Sequence, residues 1–313
     1  MPLPSRRSLT GQLLRAASVR TLIMEALTDM EARASRAEGD EPVLVVEPPS
    51  GWRFPDLREV WQHRDLIYML VRRDISVLYR QSAVGAGWAI LQPVLLAVVF
   101  SVFLGLLAKV PSAAGIPYPV FAVSGMVMWL FFANAMSRAS VSTIASAPLI
   151  SRVYFPRVII PLAAVIPSLV DFAVGFVVVI GAMLLYGSDP SLRVVLLPVV
   201  VLVALTTALG IGLWLSALHV RYRDVQHIVP FAILVGLFIT PITYPFSLVP
   251  ANLQPVYALN PMVGVLEGYR WVLFSDFAFP GGVLVIPLVA SIVLLITGAL
   301  FFERMETTFA DVI

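Results

Sequence analysis

Beyond Arg80 the sequence falls into long windows with few charged residues, each long enough to cross the hydrocarbon core of a bilayer, which takes about 20 apolar residues. Six such windows can be marked, at residues 85–108, 118–137, 158–186, 194–218, a fifth starting near Gln226, and 279–302. The third has Asp171 inside it. Across the whole chain 59% of residues are hydrophobic and 13% charged, against about 25% charged in an ordinary soluble domain. A soluble globular enzyme is excluded. The expected fold is all-α and integral to the membrane.

Several chemistries drop out on residue type. There is no cysteine, hence no disulfide, thiolate-bound zinc or thiol nucleophile, and His63, His219 and His227 lack metal-site spacing. The only lysine, Lys109, follows Leu106-Leu107-Ala108 and not a glycine-rich loop, so no P-loop is present and any ATP is bound by another chain. Basic residues are dispersed, which argues against nucleic acid. A membrane enzyme would want clustered His, Asp or Glu, whereas His219 and Asp224 stand alone in a loop dominated by arginine. A proton-coupled transporter would want more intramembrane acids than Asp171.

Residues 1–84 carry 12 of the 21 basic and 11 of the 19 acidic residues. Within 1–51, Leu9, Leu13, Leu14, Ala17, Leu22, Ile23, Leu27 and Met30 recur at roughly helical spacing before a Pro- and Gly-containing linker. Arg15, Arg20 and Glu25 interrupt any signal-peptide core, so the N-terminus is expected to be retained. Over 52–84, Asp56 and Glu59 form a capping pattern ahead of a second amphipathic helix. It sets Val60, Trp61, Ile67, Tyr68, Val71, Ile75 and Leu78 against Arg64, Arg72, Arg73 and Asp74. Such a helix suits a membrane interface or a partner surface. Residues 85–313 form the six-span domain.

Counting basic residues near the span ends sets nine (Arg72, Arg73, Arg80, Arg138, Arg152, Arg157, Arg221, Arg223 and Arg304) against three (Lys109, Arg193 and Arg270), which predicts both termini in the cytoplasm. Residues 225–266 hold no Asp, Glu, Lys or Arg, and 42 residues of helix would be about twice the bilayer core. Pro241, Pro245, Pro250, Pro255 and Pro261 supply breaks, so the expectation is a fifth span ending near Tyr244 followed by short re-entrant helices before the sixth. Broken backbone at that depth needs protein or a cavity around it, which marks residues 247–276 as a candidate pathway element.

A series of motifs follows in order. They are Arg72-Arg73-Asp74-Ile75 through Tyr79-Arg80-Gln81, Gly85-Ala86-Gly87-Trp88 through Gln92-Pro93, Pro117-Tyr118-Pro119 with Gly125, Leu149 through Arg157, Arg221-Tyr222-Arg223-Asp224, and Asn260-Pro261-Met262 leading to Glu267-Gly268-Tyr269-Arg270. Together they resemble the membrane subunit of ABC-2 type polysaccharide exporters, the O-antigen and teichoic acid permease family, over residues 52–313. The resemblance implies a homodimer in the bacterial inner membrane, bound to two copies of a separate ATPase. That partner carries ATP and magnesium, and this chain binds no cofactor or metal. The implied cargo is a lipid-linked polysaccharide such as O-antigen; an exporter of a small hydrophobic compound is the alternative on the same architecture.

The same resemblance implies roles for particular residues. Leu149, Ile150, Arg152, Val153, Tyr154, Phe155, Pro156 and Arg157 correspond to a coupling segment on the ATPase, with Pro148 and Pro156 limiting it to a short helical turn. Arg221, Tyr222, Arg223 and Asp224 form a second cytoplasmic motif, with Arg221 and Asp224 placed either to pair with each other or to meet the ATPase. Glu267, Tyr269 and Arg270 correspond to an outer gate held by an internal ion pair; a solvated pair in an interfacial aromatic belt is the competing reading. Trp129 and Phe132 share a helix face with Met128 and are candidates for stacking on sugar rings or for lipid contact. Asp171 must face the bundle interior or a partner, and a buried structural hydrogen bond is its leading reading.

Overall fold

Caps and prolines fix where the helices begin and break. In the computed structural model, which describes residues 54–80, 87–113 and 115–312, the Asp56 carboxylate accepts a hydrogen bond from the Arg58 amide at 2.9 Å and opens α1 (Leu57–Gln62). The chain turns at His63, whose Nδ1 lies 2.9 Å from the Glu59 carbonyl, into α2 (Arg64–Arg80). The amphipathic helix expected after Trp52 is therefore in two pieces. Val60, Leu66, Ile67, Leu70 and Val71 face protein, while Trp61 and Tyr68 point outward. The amphipathic stretch before residue 52, and Gln81, Gly85 and Ala86 of the motifs, lie outside the described residues.

There follow α3 (Gly87–Phe100), continued by a π-helical stretch Ser101–Leu107, then α4 (Tyr118–Ala145), α5 (Ala147–Ile150), α6 (Ile159–Val165) and α7 (Pro167–Leu185). A 3-10 turn, Leu192–Leu196, leads into α8 (Leu197–Arg221), followed by α9 (Val225–Ile239), α10 (Gln254–Ala258) and α11 (Pro261–Leu273). The last helix is α12 (Val285–Val312). Helices and their connecting turns make up the described residues, with one isolated bridge between Pro190 and Phe274.

Among the described residues five helices are long and apolar enough to span a membrane: Gly87–Leu107, Tyr118–Ala145, Ile159–Leu185, Leu192–Arg221 and Gly281–Glu306. The fifth expected span is α9, which has 15 residues. At about 1.5 Å per residue it reaches roughly 22 Å, short of a core of about 30 Å.

The bundle is organised around α4. In its apolar window 83% of the residues are buried, against 11% in the first span and no more than 28% in the others. It packs on α8, α7, α6 and α3, while α8 packs on α12. Polar side chains tie these helices where an apolar layer offers no competing water. Arg138 Nη2 donates to Asp171 Oδ2 at 2.8 Å between α4 and α7. Thr143 and Ser216 hydroxyls meet at 2.6 Å, and His219 Nδ1 lies 3.0 Å from the Ser140 carbonyl, both between α4 and α8.

The α8–α12 crossing depends on glycine. A Cβ at Gly298 would strike the Gly210 carbonyl, and one at Gly210 would sit 2.6 Å from the Leu294 carbonyl carbon. Beside this contact Trp214 stacks on Phe301 at 4.1 Å and donates to the Thr297 hydroxyl at 3.2 Å. Gly298→Val is expected to force the helices apart at a cost of about 1–3 kcal/mol. A thermal melt of the purified protein should show the midpoint drop by on the order of 5 °C; an unchanged midpoint would show that the close approach is not required.

Candidate functional site

Two groups of functional candidates flank α4, whose 28 residues separate them by about 42 Å. The first is the segment after its C-terminus. Proline at its N-terminal turn and Pro156 downstream limit α5 to four residues, as the sequence predicts. The segment has two sides. Leu149, Ile150 and Phe155 pack with Ile159 and Ile160 onto Val60, Leu66, Ile67, Leu70 and Val71 of α1 and α2. Arg152, Val153 and Tyr154 are exposed, Tyr154 at 79%.

Arg157 belongs to the inward side. Its Nη1 donates to the Glu306 carbonyl, its Nε lies 3.6 Å from Glu306 Oε1, and its guanidinium sits 5.9 Å from the Phe309 ring. The residue expected to serve as a donor to a partner thus clamps α12 instead. Pro156 beside it is half-buried. Near the same end of the spans, Arg221, Tyr222, Arg223 and Asp224 are all exposed between α8 and α9. Of the two arrangements open to Arg221 and Asp224, the ion pair does not form; Arg221 lies over the Tyr222 ring at 5.5 Å.

At the other end the chain breaks after α9, and residues 240–243 run as non-helical backbone through protein. The Thr240 carbonyl accepts from the Ile242 amide at 2.7 Å, and the carbonyls of the next three residues meet side chains from elsewhere. Asn260 Nδ2 donates to the Thr240 hydroxyl at 3.0 Å, while Asn260 Oδ1 accepts from the Met262 amide at 3.0 Å and caps α11. Arg270 Nη1 donates to the Pro241 carbonyl at 2.9 Å and Nη2 to the Ile242 carbonyl. Tyr118 at the start of α4 donates to the Thr243 carbonyl at 2.7 Å. Gly125 lets the Ile242 carbonyl lie against α4, because a Cβ there would overlap it.

Arg270 is completely buried, stacks 3.8 Å from the Phe121 ring centroid and pairs with Glu267 at 3.3 Å. Of the two readings of that pair, the structure shows the enclosed one. Burial pushes the Glu267 carboxyl above its ordinary range, with the Arg270 charge opposing the rise. Tyr269 is buried beside it against Phe172. Arg193, counted in the sequence only as a charge, fastens the end of α11: it stacks over Trp271 at 5.1 Å, and its Nη2 donates to the Phe274 carbonyl at 3.4 Å and also to that of Ser275.

Trp129 and Phe132 pack on each other at 5.6 Å and are each 5% exposed, with Gly236 of α9 against the Trp129 ring. Here they face protein and not an open path. Asp171 lies in a part-buried ion pair with Arg138, a residue that the sequence reading counts only toward charge bias.

Residues 65–274 match the ABC-2 type transporter family. The chain belongs to that family. Among curated relatives of this ABC-2 chain, the O-antigen export system permease protein RfbA of Myxococcus xanthus is 32% identical over 259 residues, covering 82% of this chain and 98% of that one. A protein of the same name from Klebsiella pneumoniae is 27% identical over 251 residues, covering 80% and 95%. The matched region takes in both the segment after α4 and the Arg270 cluster.

Removing Arg270 from this ABC-2 fold leaves two carbonyls and a carboxylate without their donor. Arg270→Ala should cost about 3–5 kcal/mol, and Arg270→Lys should not restore it, because a point ammonium does not reproduce the guanidinium fork. Glu267→Gln, which leaves the two carbonyl contacts in place, should cost clearly less. Thermal unfolding of the three purified variants checks the order, and equal losses for all three would contradict it.

Proposed function

We propose that this chain is the permease subunit of an ATP-driven exporter that carries a lipid-linked cell-surface polysaccharide, O-antigen or a similar glycan, across the bacterial inner membrane. The observation that carries the reading is the match to O-antigen export permeases, over 82% of this chain and 98% of the length of one of them. In this reading the arginine-rich end of the bundle and both termini face the cytoplasm, α9 serves as a short fifth span, and α10 and α11 lie on the outer side as re-entrant helices. Residues 1–51 are a cytoplasmic extension and linker, residues 52–84 an interface element and residues 85–313 the transport domain. Two such subunits join two copies of a separate ATPase, which binds ATP and magnesium.

The coupling segment has a shape suited to its task. Arg152, Val153 and Tyr154 offer a charged donor and an apolar anchor to the ATPase. The opposite side is fastened to α2 through Phe155 and to α12 through Arg157. A push on the exposed side therefore reaches the interface element and the last span together. Arg221–Asp224, exposed at the same end, give the ATPase a second contact, and the Glu267–Tyr269–Arg270 cluster holds the outer exit.

The glycan path is proposed between copies of the chain. The first span is barely covered within one subunit, and Trp88, Phe103, Phe231 and Phe238 of α3, its π-helical continuation and α9 are all more than half exposed. Membrane lipid covers what a second copy does not. Many weak ring-on-sugar contacts allow a chain to slide, whereas a tight pocket would hold it.

Depleting the chain in its host should trap a finished lipid-linked polymer inside and remove its surface counterpart. Complementation with Tyr154→Ala should leave export impaired at normal permease level, whereas Arg157→Ala should lower the permease level itself by loosening α12. If depletion traps no polymer and instead sensitises cells to hydrophobic compounds, the small-molecule reading replaces this one.

A further inference from the structure

An apolar slot of about 190 Å³ lies between α8, α11 and the start of α12. Leu196, Val199, Val200 and Val203 line it at helical spacing, so it extends about 10 Å along one face of α8. Apart from the Trp271 indole, the described residues that line it carry no polar side chain. Leu196, Val199 and Leu288 line the slot and are also exposed, so it opens on the outside of the bundle. Along the spans that contain α8 and α12 the surroundings there are hydrocarbon. An empty slot forfeits dispersion contacts along its walls, and a neighbouring lipid chain restores them.

The mouth of the slot carries a charge. Arg193, one turn before Leu196, is half-buried and lies over the Trp271 ring at 5.1 Å. All the acceptors of its guanidinium are neutral: the Ser191 hydroxyl at 2.9 Å, the Phe274 carbonyl at 3.4 Å, the Phe277 carbonyl at 3.5 Å and the Ser275 carbonyl. Among the described residues no carboxylate pairs with it. Arg138, Arg157 and Arg270, the other arginines that tie helices together, each have one. Arg193 therefore keeps its positive charge, and its two long hydrogen bonds yield readily to a stronger, anionic acceptor. A cation at one end of an elongated apolar slot matches the two parts of a lipid, an anionic headgroup and a hydrocarbon chain. A single guanidinium balances one phosphodiester, whereas a diphosphate brings more negative charge than it matches.

We propose that this slot is a site for one anionic phospholipid of the leaflet at that end, with its phosphodiester on Arg193 and one acyl chain along α8 beneath Trp271, bracing α11 against α8 and α12. The site requires only that α8 and α12 cross a membrane, and it holds whatever the cargo.

The test uses the purified full chain, exchanged into lipid-free detergent and titrated with phosphatidylglycerol, phosphatidylethanolamine or a polyprenyl diphosphate. Phosphatidylglycerol should raise the thermal midpoint by on the order of 5 °C, with native mass spectrometry saturating at one lipid per chain. The other two lipids should give less than half that shift. Val203→Phe fills the slot and Arg193→Gln removes the charge, and each should abolish the shift measured from its own lipid-free midpoint. That reference separates lost lipid from any loosening of α11 in the variant itself. If Val203→Phe does not fold, Val199→Trp at the exposed mouth makes the same comparison without crowding the interior. An undiminished shift in a filled or uncharged variant, an equal shift from phosphatidylethanolamine, or a larger one from the polyprenyl diphosphate would overturn the site.

Discussion

Wherever a helix breaks within an apolar layer, the backbone groups it releases must find donors or acceptors in the protein, and this requirement governs the far end of the molecule. The break after α9 frees the carbonyls of Pro241, Ile242 and Thr243, which are met by Arg270 and Tyr118, and Asn260 holds the Thr240 hydroxyl beside them. Those three side chains come from the start of α11, the interior of α11 and the start of α4. A local necessity of hydrogen bonding therefore fastens the proline-rich segment to the central helix. Glu267 and the Phe121 ring in turn neutralise and cover the guanidinium that does most of this.

The same economy of polar contacts appears at the other end. Arg157 links the segment after α4 to α12, Arg138 links α4 to α7, and Thr143 with Ser216 links α4 to α8. Apolar packing against lipid and against neighbouring helices differs little in free energy, so close glycine contacts and buried polar pairs set which helices meet. With α4 largely buried and tied at both ends, displacement of the exposed Arg152–Tyr154 face has a packed route toward the Arg270 cluster. This is a mechanical reading of the packing, and it gives the two ends a common scaffold.

Much of this was legible in the sequence. Low-charge windows located the five helices long enough to span, Asp56 announced its cap, and proline spacing placed the break after α9 and the short turn of α5, while the cap that Asn260 places on α11 went unread. The three-residue spacing of Glu267 and Arg270 also made their pairing readable. What escaped were the long-range choices. Arg138 and Asp171 are 33 residues apart and Arg157 and Glu306 are 149 apart, so no local period links them. Arg157 looked like its neighbour Arg152, yet one turns to α12 and the other to the exterior. Trp129 and Phe132 share a helix face as expected, but α4 is buried around them, and a shared face says nothing of what covers it. The sequence before Trp52 lies outside the described residues.

The central claim is that this subunit moves a glycan across a bilayer when its partner hydrolyses ATP. The most direct measurement places the permease and its ATPase in proteoliposomes containing the host's lipid-linked polymer on the ATPase side. ATP is added, and the fraction of polymer that becomes resistant to a glycosidase on that side is followed. The account predicts ATP-dependent protection that is lost with Tyr154→Ala. Steady ATP hydrolysis with no transfer of polymer would contradict it.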